Sequence, residues 1–376
     1  MDVGGGRGGG RGLSKKKSNE MDSLDLKDHA LDQTSITEPV SPKKHHSFFH
    51  LHRHHSKKRQ SSSNAILNTS QVSEASLKRN SSSKSTIEDI RDLDDPLAPP
   101  PRLLADARRK LGETFDVRHS ALASLKEIIN TYEKTQAPES AVQFRRKDDW
   151  FLMAFLRCKK FNIQRAFEEF LHYSTFHSEN NWLRDGVDHD LVQRMFSSGG
   201  FQVLPTRDPA GRLILSMDTK ALVPLVEELG PSKVMEVVKA VFFLLEVVIA
   251  DIEAQILGAT IVADFNSCKI KIAAYLSPSE YQMCLHLCQN CYPLRANGMF
   301  IIREPWYMRT VWAIIRPFMN AKVKRRFKTF GKDWSGLYDN IPKSSLTKPY
   351  GGDVDFDAAA AARRWIAAVD ALIARG

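Results

Sequence analysis

Residues 295–348 hold twelve lysines and arginines against three carboxylates, Glu304, Asp333 and Asp339, so +9 of the chain's formal net charge of +10 sits in 54 of its 376 residues. Cations at this density, interleaved with apolar residues, suit one kind of chemistry. They meet phosphates at an anionic surface while aromatic and aliphatic side chains enter the interface. In the run Glu304-Pro305-Trp306-Tyr307-Met308-Arg309-Thr310-Val311-Trp312-Ala313-Ile314-Ile315-Arg316-Pro317-Phe318, the apolar Met308, Val311, Trp312, Ile315 and Phe318 recur at helical spacing, and Lys322, Lys324, Arg325, Arg326 and Lys328 follow at once. A buried helix followed by a solvated charged one would show the same pattern, and the segment alone does not choose between the two readings.

Other chemistries find less support in the residues. No Gly-x-Ser-x-Gly elbow occurs, and the part expected to fold has no paired histidine ligands. Cys284, Cys288 and Cys291 stand at i, i+4 and i+7, one stripe of a helix, with His286 off it. Three thiols there are a candidate zinc set, but a small-residue face buried against a sheet is the preferred reading. Gly4, Gly6 and Gly9 match a dinucleotide-loop spacing with no strand before them and no helix after. The basic chain lacks any nucleic-acid recognition fold. The expectation is a protein that is not an enzyme, with no metal and no cofactor. The most apolar stretch, residues 234–249, is short and interrupted by Lys239 and Glu246, so membrane contact should be peripheral. Five cysteines and an amino terminus without a signal-peptide pattern point to a reducing, cytoplasmic setting.

The elements that must position the basic block divide the chain. Residues 1–101, rich in Gly, Ser, His and Lys, read as a disordered basic tail. Its histidine-rich run 43–59 is either a second membrane-adhesive segment or a solvated one, and Ser61 to Ser63 and Ser81 to Ser83, each preceded by Lys-Arg, are candidate phosphorylation sites. Residues 102–180 form an all-helical unit by periodicity, with helices over 103–111, 117–132 and 163–177 and one capped by Asp148 whose face is Phe151, Leu152, Phe155 and Leu156. The period then changes. Strands at 201–204 and 213–217 flank the turn Asp208-Pro209-Ala210-Gly211, a helix spans 232–253, a buried strand 259–265, a helix 279–291 and a buried strand 298–302. Helix alternating with strand gives an α/β class, a mostly parallel sheet covered by helices, over residues 181–354; a last helix fills 355–376.

Five ordered segments resemble the CRAL-TRIO lipid-binding family: Phe155-Leu156-Arg157-Cys158-Lys159-Lys160-Phe161-Asn162-Ile163, Val203-Leu204-Pro205-Thr206-Arg207-Asp208-Pro209-Ala210-Gly211-Arg212, Tyr292-Pro293-Leu294-Arg295, Glu304-Pro305-Trp306 with Ile315-Arg316-Pro317-Phe318, and Pro349-Tyr350-Gly351-Gly352. Within the family the chain is similar to the α-tocopherol transfer protein, retinaldehyde-binding protein and clavesin branch. The resemblance implies a helical amino-terminal domain, a sheet-floored pocket for one hydrophobic molecule and a mobile lid helix. It also implies a phosphoinositide site of four cations, at positions held here by Lys159, Arg295, Lys322 and Arg326. A pocket of this kind needs an apolar lining, expected from Val241, Phe242, Leu245, Ile249, Val262, Leu287, Leu294 and Ile302, and a lid carrying Trp306, Val311, Ile314, Ile315 and Phe318. Two positions depart from the family pattern: Arg303 replaces the Asn of Asn-Glu-Pro, and Asp264-Phe265-Asn266-Ser267 lacks the glycine of Asp-x-x-Gly.

The expected function is a lipid-binding and transfer protein that encloses one non-covalent hydrophobic ligand and docks on phosphoinositide-containing membranes, endosomal, Golgi or plasma. The alternative is a phosphoinositide-sensing adaptor with no transported cargo. Nothing in the residues fixes the ligand, the phosphoinositide isomer or the oligomeric state.

Overall fold

The computed structural model describes residues 91–137, 142–180 and 187–373. The tail up to residue 90, with its histidine run and serines, lies outside the described residues. Four helices open the described part: α1 (Pro101–Leu111), α2 (Phe115–Thr135), α3 (Asp149–Cys158) and α4 (Ile163–Glu179). Pro101 starts α1, where a missing N–H costs nothing. The other three start on side-chain oxygens of Thr114, Asp148 and Asn162, which accept from the N–H groups of Val117, Phe151 and Arg165 at 3.3, 3.0 and 3.0 Å. Residues 151–157 of α3 are all buried, so this helix is enclosed on every side. It packs on Leu125 and Ile129 of α2 and on Phe170 and Tyr173 of α4.

Buried among these helices is a closed ion network. Arg157 is fully buried and donates to Glu113 at 2.8 and 3.0 Å, to Gln255 at 2.7 Å and to the Leu97 carbonyl at 2.7 Å. Arg118, also buried, is held by Asp92, Asp95 and Glu113. Every charge here meets a partner, the condition for keeping ions out of water at tolerable cost.

The remainder runs α5 (His189–Ser197), β1 (Phe201–Arg207), β2 (Leu213–Asp218), α6 (Thr219–Leu229), α7 (Val234–Ala250), α8 (Ile252–Leu257), β3 (Ala259–Asp264), α9 (Ile270–Ala273), α10 (Pro278–His286), β4 (Ala296–Ile302), α11 (Met308–Ile315), α12 (Ala321–Arg326), β5 (Phe327–Thr329) and α13 (Ala358–Ile373). The strands form one sheet in the order β1-β2-β3-β4-β5, antiparallel between β1 and β2 and parallel elsewhere. This is the α/β class with a mostly parallel sheet that the sequence leads one to expect. The fifth strand, inside the basic block, is not foreseen, nor are α5 and α6.

Register gives the sheet two distinct faces. Val203, Leu215, Ile261, Met299 and Phe327 are paired in a row across all five strands and share one face. Val203 and Leu215 are buried against the helices, whereas Ile261, Met299 and Phe327 are only half-buried. Leu204, Ile214, Val262, Phe300 and Ile302 share the other face and are sealed by Leu337, Ile341, Leu346 and Tyr350. The chain closes there at Gly352, where any side chain would strike the Leu346 carbonyl oxygen 1.9 Å away.

Two helices end differently from their sequence expectation. The one expected over 232–253 breaks at Asp251, whose carboxylate accepts from the Ala254 N–H at 2.9 Å and so caps a separate α8. The one expected over 279–291 begins on the Ser277–Glu280 capping box and changes to a π turn, Leu287–Cys291. The wider π step breaks the stripe on which the three cysteines were to lie. Cys291 is buried, Cys284 half-buried and Cys288 exposed, so they do not form one buried face. Among the described residues no group of histidines, cysteines and carboxylates is placed to hold a metal.

Candidate functional site

The end of α3 sets the first cation. Lys159 caps the helix, its N–H donating to the Phe155 carbonyl at 3.0 Å, and Lys160 and Phe161 then take left-handed φ of 53° and 58°. Two such residues in succession are costly for side chains with a Cβ, and the Phe161 N–H donating to the Leu156 carbonyl at 2.8 Å helps to hold them. Arg295 precedes β4, and Lys322 and Arg326 lie one turn apart on α12. Arg295 donates to the Ile256 carbonyl and Arg326 to the Ala296 carbonyl, the latter at 2.6 Å. The Arg295 backbone fits because residue 258 is glycine: with φ 88°, a Cβ there would stand 2.5 Å from the Arg295 carbonyl oxygen.

The structure brings all four cations together. Loss of hydration lowers the Lys322 pKa, and the charges of Arg326, Lys159 and Arg295 push it further down. Burial likewise lowers Arg295, with Arg326 adding to the effect. Among the described residues only one carboxylate makes an ion pair within the group. Glu169 of α4 stands 2.6 Å from the Lys159 Nζ and is 4% exposed. Burial raises its pKa to about 7 against the opposing pull of Lys159 and Lys322. The neighbouring Cys158 thiol is pushed up to about 12 by burial and by Glu169. Sequence reasoning missed Glu169, although the signal is present: it lies three residues after Ala166 and four before Tyr173, on the buried stripe of α4.

α11 precedes α12 in the chain, and its Trp312 meets Phe327, the residue after Arg326. Met308 and Ile315 anchor it in the core, Val311 is half-buried, and Trp306, Ile314 and Phe318 face outward, Trp306 with 82% of its surface exposed. Trp312 meets Phe265 and Phe327 edge-on, with ring centroids 5.7 and 4.9 Å apart, at the half-buried end of the apolar row. Polar ties at the two ends of α11 are few. Tyr307 donates to the Cys268 carbonyl, and Gln289 bonds the Phe318 carbonyl at 3.2 Å and the Asn320 N–H at 2.7 Å. Arg303, just before, has φ 53°, a conformation that asparagine adopts more readily than arginine. Its guanidinium pairs with the buried Asp264 and lies over Trp334 at 5.2 Å, which fastens the turn. Glu304 accepts from the Gly331 N–H at 2.9 Å.

The eight expected pocket residues do not surround one space. Phe242, Leu245, Ile249, Leu287 and Leu294 pack with the amino-terminal helices on the Leu215 side of the sheet. Val241 belongs to a cluster with α5 and α6, and Val262 and Ile302 point to the opposite face of the sheet. The half-buried row Ile261, Met299 and Phe327, which meets α11 at Phe327 through Trp312, was not selected by sequence reasoning. No described helix is long and apolar enough to cross a membrane.

Residues 197–352 match the CRAL/TRIO domain family. The human protein "Alpha-tocopherol transfer protein-like" is 26% identical over 250 residues, 66% of this chain and 70% of its own length. Clavesin-1 of Xenopus laevis is 28% identical over 254 residues, 67% of this chain and 73% of its own. The crystal structure of Sfh5 aligns with 69% of this chain and 98% of that one at 14% identity, with a TM-score of 0.39. From the end of α5 through the five-stranded sheet and α11 to the closing Tyr350-Gly351-Gly352, the chain matches the CRAL/TRIO domain family.

Proposed function

We propose that this protein binds and transfers a lipid, enclosing one hydrophobic molecule between α11 and the half-buried row Ile261, Met299 and Phe327, and docks on phosphoinositide-bearing membranes through Lys159, Arg295, Lys322 and Arg326. The gathering of four cations beside α11, with one carboxylate among them, carries the reading. Like charges are not assembled for stability, and each repels the next unless an outside anion joins them. Trp306, Ile314 and Phe318 give the same region an apolar edge suited to the lipid interface, and the few polar ties of α11 suit a lid that opens there. A headgroup bound beside the lid would couple docking to release. The relatives named for α-tocopherol transfer support the lipid class, though not the ligand.

One observation favours a second reading. The expected lining residues are packed into three separate clusters, as in a phosphoinositide-sensing adaptor that carries no cargo. Native mass spectrometry of the freshly purified full chain separates the two. A stoichiometric bound lipid is the expected result, and a consistently empty protein would overturn the carrier reading in favour of the adaptor.

A further inference from the structure

We propose that Glu169 is the resident counter-anion of the cation cluster and sets how much negative charge a phosphate-bearing ligand must carry to enter it. The proposal rests on the phosphate-docking reading above. Glu169 reaches in from α4, and its Oε1 lies 2.6 Å from the Lys159 Nζ. Its second oxygen is buried without a hydrogen-bond partner, although two charged amines belong to the same group. A buried carboxylate that among the described residues has only Lys159 and the weak Cys158 thiol as donors competes with an incoming phosphate for the neighbouring cations. Arg295 and Arg326 spend one donor each on main-chain carbonyls and make no carboxylate pair among the described residues.

Charge then decides which ligand enters. These four cations less one carboxylate leave three positive charges, and Arg325 beside Arg326 adds to the positive field. A phosphodiester or phosphatidylserine brings about one negative charge and gains little over the carboxylate already in place. A headgroup with two phosphomonoesters brings about three to four and outweighs it. Glu169 therefore filters for polyphosphorylated ligands, either a lipid headgroup or a free inositol polyphosphate. The same filter responds to pH. The groups facing Glu169 are Cys158 and Lys159 at the end of α3, Lys322 of α12 and Cys291 of the π turn. Both thiols are pushed up to about 12, while Glu169, raised to about 7 by burial, changes charge near neutrality. Above that value the carboxylate opposes a phosphate, and below it the opposition is gone.

The test compares the full-length wild type with Glu169→Gln, Glu169→Leu and Lys322→Ala/Arg326→Ala. Probes are phosphatidylcholine vesicles carrying a bisphosphorylated phosphoinositide, the same vesicles with phosphatidylserine instead, and soluble inositol hexakisphosphate. Glu169→Gln should bind about tenfold tighter than wild type at about pH 8 and equally at about pH 6, because a proton that binding must supply costs tenfold per pH unit. It should also gain binding to phosphatidylserine vesicles. A gain on vesicles alone supports the headgroup as source, and a gain on inositol hexakisphosphate alone supports the free polyphosphate. Glu169→Leu removes the same charge and keeps the test alive should the glutamine variant fold poorly. Equal affinity of wild type and both Glu169 variants at both pH values, with binding still weakened in Lys322→Ala/Arg326→Ala, overturns the filter alone. If that double variant binds as wild type does, the docking reading itself fails.

Discussion

Arg157 and Lys159 are two residues apart in one motif, yet they belong to opposite kinds of charge cluster. Arg157 lies in a network with Arg118 in which Glu113, Asp92 and Asp95 supply the carboxylates and Gln255 and the Leu97 carbonyl take the remaining donors. Lys159 lies in a group of four cations in which, among the described residues, Glu169 is the one ion-paired carboxylate. A buried network with matched charge holds the amino-terminal helices to α8 through Gln255, so its anions are all internal. The other cluster is short of anions among the described residues, and that shortage is the ground on which we propose an outside phosphate there. Abundance of arginine says little about role; the local balance of charge says more.

The widest separation between the two regions should appear on truncation. Arg157→Ala leaves Glu113 with Arg118 alone, orphans the Gln255 oxygen and the Leu97 carbonyl and opens a fully buried site, and should cost about 3–5 kcal/mol of stability, seen as a large drop in urea midpoint; a drop of less than about 1 kcal/mol would dissolve the distinction. Lys159→Ala tests the border, since it leaves Glu169 buried without its cation. A loss of about 1–3 kcal/mol is expected near pH 8, shrinking below about pH 6 as Glu169 takes up a proton and no longer needs one. Salt should divide the regions next. Raising ionic strength from about 0.1 to about 1 M shortens the screening length from about 10 to about 3 Å and should weaken vesicle attachment about tenfold or more, with little change in the unfolding midpoint.

The smallest effect concerns a buried base whose neighbouring charges are cations. His177 of α4 is held at about 4 by burial and by Arg146 and Arg145, and its Nε2 has no hydrogen-bond partner. Its pKa is depressed on folding, so the neutral form carries the stability: present above about pH 6.5, lost as pH falls toward 4. Between about pH 7.5 and pH 6 the protein should lose about 1 kcal/mol, and His177→Phe should flatten that slope in a pH series of thermal melts.

Much of this was legible in the sequence. The cap at Asp148, the helical spacing of the apolar residues and the period change after residue 180 foretell the helices and the sheet, because both depend on local residue types. The four cations were reachable through motif resemblance, and the structure does assemble them. The pocket residues were not. Alternation along β3 and β4 separates Val262 and Ile302 from Ile261 and Met299, but only packing against the segment that carries Leu337 and Leu346 says which face is sealed. The π turn that turns Cys288 outward has no periodic signature, and Asp251 interrupts an apolar run whose pattern continues through it. Glu169 was hidden for a different reason: a carboxylate on an apolar stripe makes sense only once distant cations are known to face it.

One measurement bears most directly on the anion-short cluster: calorimetric titration of the full chain with a water-soluble bisphosphorylated phosphoinositide, in wild type and in Lys322→Ala/Arg326→Ala. At about 1 kcal/mol for each cation, the double variant should bind about thirtyfold more weakly, with one site in the wild type and an unfolding midpoint within about 0.5 kcal/mol of it. Equal affinity in the two proteins would contradict the assignment of these cations to an outside phosphate.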